Sequence, residues 1–178
     1  MKLLREESKM KKYELTTETK INAFGKKLFR IKALVSFGSV SAGEKGGWVE
    51  KEENLSQSGN ALVRDNAEVS GNALVYGNAK VSGNAWVHGN AKVRDNAEVS
   101  GNAVVSGNAD YATIHGFGTC FRTTTFFRCD DEEVRVSCGC FFGTISKFRE
   151  QVKRTRKGKI AEEYLMIADL MEKHFKEE

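Results

Sequence analysis

The chain has 178 residues, 28 basic and 24 acidic side chains, a formal net charge of +4 and no proline. That length suits one moderate domain with appendages, and no stretch approaches the ~20 apolar residues of a membrane span. Residues 1–15 are charged and lack an apolar secretory core, so a cytoplasmic protein is expected.

The predicted elements begin with a short strand over residues 13–15. Residues 27–35 set Leu28, Phe29, Ile31 and Leu34 among basic residues and read as a second strand. Residues 37–53 are turn-rich, with Val40, Trp48 and Val49 as anchors. Residues 1–58 are therefore assigned to an N-terminal extension and cap. Trp48 is expected to act as a lid on the Ala/Val core of the adjoining repeats.

From Gly59 to Ala109 the unit [Gly/Asp]-Asn-Ala-x-Val-x recurs nine times without a gap. A short repeat of this kind signals a solenoid. In a strand, Ala and Val two places apart point to one side and the residue between them to the other. The inward row is small and uniform, which suits a narrow prism. The outward row (Leu62, Glu68, Leu74, Lys80, Trp86, Lys92, Glu98, Val104, Asp110) is mixed. The [Gly/Asp]-Asn pair forms the corner, where Gly and Asn tolerate left-handed angles. Asn over Asn would make amide ladders. Stacking leaves every backbone N–H in use, which fits the missing proline.

After Ala109 the register decays. Residues 123–128 and 133–137 read as a hairpin around Asp130-Asp131-Glu132. Two helices come next, over residues 144–156 and 160–175, interrupted at Gly158. The second carries an apolar stripe of Ile160, Tyr164, Ile167, Ala168, Met171 and Phe175. It is expected to pack on the hairpin or on a neighbouring subunit. Residues 59–118 are assigned to the repeats and 119–178 to the hairpin and helical appendage. Seven basic residues and only Glu150 as an acid lie between Lys147 and Lys159, and this run reads as a solvated helix face. Cys120, Cys129, Cys138 and Cys140 lack zinc-pair spacing and read as small buried thiols. No metal site and no cofactor are expected.

The hexad is similar to the hexapeptide repeat of left-handed β-helix proteins, where an aliphatic residue is followed four places later by a small one, as Val63 is by Ala67. The resemblance implies three hexads per coil, hence stacking at 18 residues, three coils, and a trimer. The fold expected is mainly β: a left-handed parallel β-helix with an N-terminal β cap and a C-terminal β-hairpin plus two α-helices. More widely the chain resembles phage- and prophage-encoded hexapeptide-repeat proteins. The residues carrying this are Tyr13-Glu14-Leu15-Thr16, Leu28-Phe29-Arg30-Ile31-Lys32-Ala33-Leu34, Gly46-Gly47-Trp48-Val49-Glu50, the repeat array, Thr123-Thr124-Thr125-Phe126-Phe127-Arg128 and Val136-Ser137-Cys138-Gly139-Cys140-Phe141. Family members open close to the Tyr-Glu-Leu-Thr segment, so residues before Met10 read as an extension.

The scaffold suits three functions. One is an acyltransferase with His88 as base; the array, however, has no loop insertion to shape an acceptor pocket. A zinc hydratase would need several converging histidines, and only His88 and His115 lie near the helix. Another is a rigid trimeric spacer or adaptor. The third, and the favoured one, is a non-catalytic oligomeric binding protein of phage origin. It would counter host defence by sequestering a host protein or a nucleotide-derived, phosphorylated signal. Arginine would grip phosphate and aromatic rings would stack on a base. Candidate contacts are Tyr76, Trp86, His88 and Arg94 on the helix wall and Arg122, Phe126, Phe127, Arg128 and Arg135 on the hairpin. Membrane contact and specific nucleic-acid binding are not expected. Stacking at 18 residues places Glu68, Trp86 and Val104 on the most apolar face, the expected subunit interface.

Overall fold

A computed structural model describes residues 10–176; the extension before Met10 lies outside the described residues. An antiparallel meander of β1 (Tyr13–Ile21), β2 (Lys27–Ala33) and β3 (Lys45–Val49) leads into eight two-residue strands. These are β4 (Leu62–Val63), β5 (Glu68–Val69), β6 (Leu74–Val75), β7 (Lys80–Val81), β8 (Trp86–Val87), β9 (Lys92–Val93), β10 (Glu98–Val99) and β11 (Val104–Val105). Each pairs in parallel with the strand 18 residues along: Leu62 with Lys80 with Glu98, Glu68 with Trp86 with Val104, and Leu74 with Lys92. The repeats therefore form a β-helix of about three stacked coils with three faces, roughly 14 Å tall at the usual strand spacing.

The alternation expected of the hexad holds. The first eight repeat alanines are fully buried, and the eight valines are at most 2% exposed. Burying each valine contributes about 1.5–3 kcal/mol relative to leaving it in water. The ninth alanine departs from the pattern: Ala109 is exposed in a 3-10 turn, Asn108–Asp110. At the corners it is the first residue, not Asn, that takes the left-handed angle. Gly59, Gly71, Gly77, Gly83, Gly89 and Gly101, with Asp65 and Asp95, have φ between +59° and +70°. This leaves each Asn side chain free to reach its neighbour in the next coil. Asn60, Asn78 and Asn96 form one amide ladder (3.4 and 3.1 Å), Asn66, Asn84 and Asn102 a second (3.2 and 3.3 Å), and Asn72 with Asn90 a third (3.2 Å).

The cap works differently from the expectation for Trp48. Trp48 pairs with Glu68 and Val49 with Val69. Val49 thus joins the inward row, while Trp48 joins the outward one and lies under the Lys20 ammonium and the Arg30 guanidinium (4.6 and 4.9 Å from the ring centre). The core is closed by Tyr13, Ile31 and Leu55. The Tyr13 hydroxyl reaches two carbonyls, Glu52 and Leu55, at 2.6 Å each. Lys12 beside it, 4% exposed, donates to the Ala61 carbonyl at 2.9 Å. Burial pushes its amine down to about 8. Strand β3 approaches the first coil so closely that a Cβ on Gly47 would stand 2.7 Å from the Ala67 carbonyl.

At the other end, β12 (Tyr111–Ile114), β13 (Thr124–Arg128), β14 (Val134–Cys138) and β15 (Phe141–Thr144) form an antiparallel sheet in that order. The hairpin read from sequence is β13–β14. Strands β12 and β15 extend it beyond that reading, and β12 takes residues 111–114 out of the repeat segment. Helix α1 (Ile145–Thr155) is capped by the Thr144 hydroxyl, which accepts from the Lys147 N–H. Helix α2 (Gly158–Phe175) lays Tyr164, Ile167, Ala168, Met171 and Phe175 against the sheet and α1. Strand β13 has cores on both sides. Phe126 faces the helices and Phe127 the β-helix interior, and both are fully buried. Among the described residues, no helix is long and apolar enough to cross a membrane.

Candidate functional site

The largest concavity, 580 Å³, runs along the Leu62–Lys80–Glu98 face, within the size range of small-molecule sites. Its floor is set by the 18-residue stacking. Lys80 donates to Glu98 at 2.8 Å, and the Asn60–Asn78–Asn96 ladder forms one margin. Its walls come from distant segments. Gly38 and Ser39 stand at the N-terminal end, and His115, Arg122, Thr123 and Gly139 at the C-terminal end. The C-terminal wall is tied to the β-helix because the Thr125 hydroxyl accepts the Glu98 N–H at 3.0 Å. The His115 Nδ1 lies 3.3 Å from the Thr123 hydroxyl.

The lining is polar and tends to be cationic. Lys80 and Arg122 face one carboxylate, Glu98, which Lys80 already engages. The Arg122 guanidinium also bonds the Cys120 thiol and lies hard against Gly139. In the ladder each amide N–H donates toward the next coil, so Asn60 gives to Asn78 and Asn78 to Asn96. The NH2 group of Asn96 is thereby directed to the C-terminal end of the groove, near Arg122. Such an arrangement can hold an anionic group at one end and hydrogen-bond an elongated polar ligand along its length.

The structure distributes the residues singled out from sequence over several surfaces. Of them, only Arg122 lines the groove. Trp86 and His88 lie on the Glu68–Trp86–Val104 face, where the tip of the β1–β2 hairpin folds over them. The Phe24 ring stacks on Trp86 with centroids 3.9 Å apart, and Trp86 meets His88 at 4.5 Å. Burial holds the His88 imidazole below its usual range, with Asp110 partly opposing. Tyr76 and Arg94 form a separate cluster with Asp95 and Tyr111; the phenol of Tyr76 heads the contacts that raise the Arg94 guanidinium further.

The hairpin candidates are engaged in the fold. Arg128 lies over the Phe175 ring, donates to its carbonyl at 2.8 Å and stands 3.7 Å from Asp110. Arg135 bonds Asp131 and Glu133. Phe126 and Phe127 cannot stack on a base, because both faces of β13 are covered; the sequence leads one to expect partial exposure of one of the two. The cysteines also differ from expectation. Only Cys129 is buried, Cys138 is partly so, and Cys120 and Cys140 are exposed. The basic run keeps its exposed lysines, while Arg149 binds Asp169 and Glu172 on α2.

Sequence reasoning places Leu62, Lys80 and Glu98 on one face but does not identify the groove. Its walls, Gly38–Ser39 and His115–Thr123, are brought there by tertiary packing of irregular loops, and no periodicity marks them. Among the described residues no group of histidine, cysteine, aspartate or glutamate side chains is placed to hold a metal ion. No protein-family model matches the chain, and no curated protein matches it.

Proposed function

We propose that the protein is a binding protein, not a catalyst, and that it holds a small phosphorylated ligand of nucleotide type in the groove above Lys80 and Glu98. The observation that carries this reading is the pairing of Arg122 at one end of a 580 Å³ groove with an amide ladder along its margin. Arginine suits a phosphate oxygen pair. Side-chain amides suit the hydrogen-bonding edge of a base or the hydroxyls of a ribose. No aromatic ring lines the groove, so recognition is by hydrogen bonds and charge, not by stacking. The resemblance to phage-encoded hexapeptide-repeat proteins is what suggests sequestration of a nucleotide-derived signal as the biological role, and a trimer as the working form.

Calorimetry with cyclic dinucleotides and ADP-ribose derivatives tests the reading. Binding should be saturable, weaken as salt rises, and be lost in Arg122→Glu but kept in Arg94→Glu. No heat with any member of the panel would remove the proposal. Light scattering tests assembly separately: Trp86→Glu should lower the particle mass if the Trp86 face is the subunit interface.

A further inference from the structure

Beside the groove lies a smaller pocket of 100 Å³ whose lining includes three of the four cysteines, Cys120, Cys138 and Cys140, with Arg122, Arg156 and Tyr164. All four cysteines are free. The pocket is assembled from the loop before β13, the two-residue turn between β14 and β15, and the facing sides of α1 and α2. Arg122 is its centre. The guanidinium bonds the Cys120 thiol, lies against Gly139, and feels the thiols of Cys138 and Cys140 on either side of that glycine. The Thr119 hydroxyl stands 3.7 Å from the Cys120 sulfur, and the Thr124 hydroxyl donates to the Cys138 sulfur at 3.1 Å. No carboxylate lines the pocket.

The backbone between Cys120 and Arg122 is strained. Phe121 has φ +47°, an angle a phenylalanine rarely adopts, and its ring is 64% exposed. Such an outlier persists only where its surroundings hold it, and outliers of this kind gather at working sites.

We propose that Cys120 is a peroxide-reactive thiol whose oxidised form is captured by a thiol of the Cys138-Gly139-Cys140 turn to give an intramolecular disulfide. In the first step the Cys120 thiolate attacks a peroxide oxygen. The S–O bond forms, the O–O bond breaks, and the distal oxygen leaves as hydroxide, which is protonated to water. Sulfur is oxidised by two electrons and the peroxide reduced by two. In the second step the thiolate from the turn attacks the sulfenic sulfur. The S–S bond forms and the hydroxyl leaves as a second water.

The hydrogen bond from Arg122, then that from Thr119, holds the Cys120 thiol below its usual range, which raises the thiolate fraction at neutral pH. Cys129 is the internal contrast: burial pushes its thiol up to about 11.

The test uses the whole chain, reduced, freed of thiol reagents and exposed to hydrogen peroxide at neutral pH. Intact mass should fall by about 2 Da as two thiols become one disulfide, and a peptide map should join Cys120 to Cys138 or Cys140. The loss should vanish in Cys120→Ser and survive in Cys129→Ser. In the Cys138→Ser/Cys140→Ser double variant, dimedone should trap the sulfenic acid on Cys120. Arg122→Ala, checked for an unchanged melting temperature, should slow the reaction severalfold. The proposal is overturned if no linkage forms, if it forms without Cys120, or if Cys120 reacts no faster than a cysteine in an unstructured peptide. These readouts do not depend on groove binding, so either proposal can fail alone.

Discussion

Gly89→Ala should destabilise the β-helix by about 2–4 kcal/mol, while Asp95→Gly, the reverse exchange at an equivalent corner, should leave stability almost unchanged. At Gly89 the backbone has φ +62°, and an added Cβ would stand 2.5 Å from the Ser106 carbonyl oxygen of the coil above. A non-glycine residue in the left-handed region costs about 1–2 kcal/mol. Overlap with a backbone atom that cannot swing aside adds about 1–3 kcal/mol. The stiffer unfolded chain returns about 0.4–1 kcal/mol.

Asp95 has the same angle, φ +60°, but lies in the last coil. The residue 18 positions on, Thr113, pairs with Thr125 in the C-terminal sheet instead of stacking above it. Replacing Asp95 by glycine relieves about 1 kcal/mol of backbone strain and loosens the unfolded chain by about the same amount. For a chain of this size each kcal/mol moves the melting temperature by ~2–4 °C, so thermal melts monitored by circular dichroism resolve the pair. Gly89→Ala melting with the unmodified protein would refute the idea that each corner is closed on the carbonyl of the next coil.

The cap yields three further outcomes. Gly47→Ala should detach β3 from the first coil, because its Cβ would meet both the Ala67 carbonyl and a Val63 methyl at 2.7 Å; faster amide exchange confined to β1–β3 checks this. Tyr13→Phe removes the donor shared by the Glu52 and Leu55 carbonyls and should cost about 1–3 kcal/mol in urea unfolding. Lys12 sets a pH dependence. Its folded amine titrates at about 8 and an unfolded lysine near ~10.4. Between those values the unfolded chain holds a proton that the folded chain lacks, so stability rises with pH across that window, by up to about 3 kcal/mol. Tyr13, shifted up by burial and then by Glu52 and Glu53, reverses the trend once unfolded tyrosine ionises, above about pH 10. Urea titrations at pH 7.5 and 9.5 on the unmodified chain and on Lys12→Met should show the rise in the former and a flat response in the latter.

The legible parts of the sequence are those the chain repeats. The Ala and Val positions, the 18-residue stacking, the Lys80–Glu98 pair and the amide ladders all come from a local rule applied many times over. The helices are legible because Phe148 with Val152, and Tyr164 with Ala168, keep a helical interval. Parts that depend on long-range packing are not. Trp48 reads as a lid by hydrophobicity alone, yet its register with Glu68 turns it outward and leaves Tyr13 to close the core. Phe126 and Phe127 look like a half-exposed pair until both faces of β13 are seen to be covered. The groove combines one face of the repeat with two loops that carry no period, so of the nine residues nominated for contact only Arg122 lies in it. Its signal, an arginine beside Thr123-Thr124-Thr125, is no stronger than that of Arg128 or Arg135, whose carboxylate partners lie elsewhere in the chain.

The most direct test of the proposed binding site is a nitrogen-15 correlation spectrum of the labelled protein titrated with a cyclic dinucleotide and, separately, with ADP-ribose. Binding in the groove predicts that the side-chain amides of Asn78 and Asn96, the Arg122 guanidinium and the Thr123 N–H move together and saturate, while the Trp86 indole stays still. Shifts centred on Trp86 or Arg94 with the ladder unmoved, or no shifts at all, would contradict it.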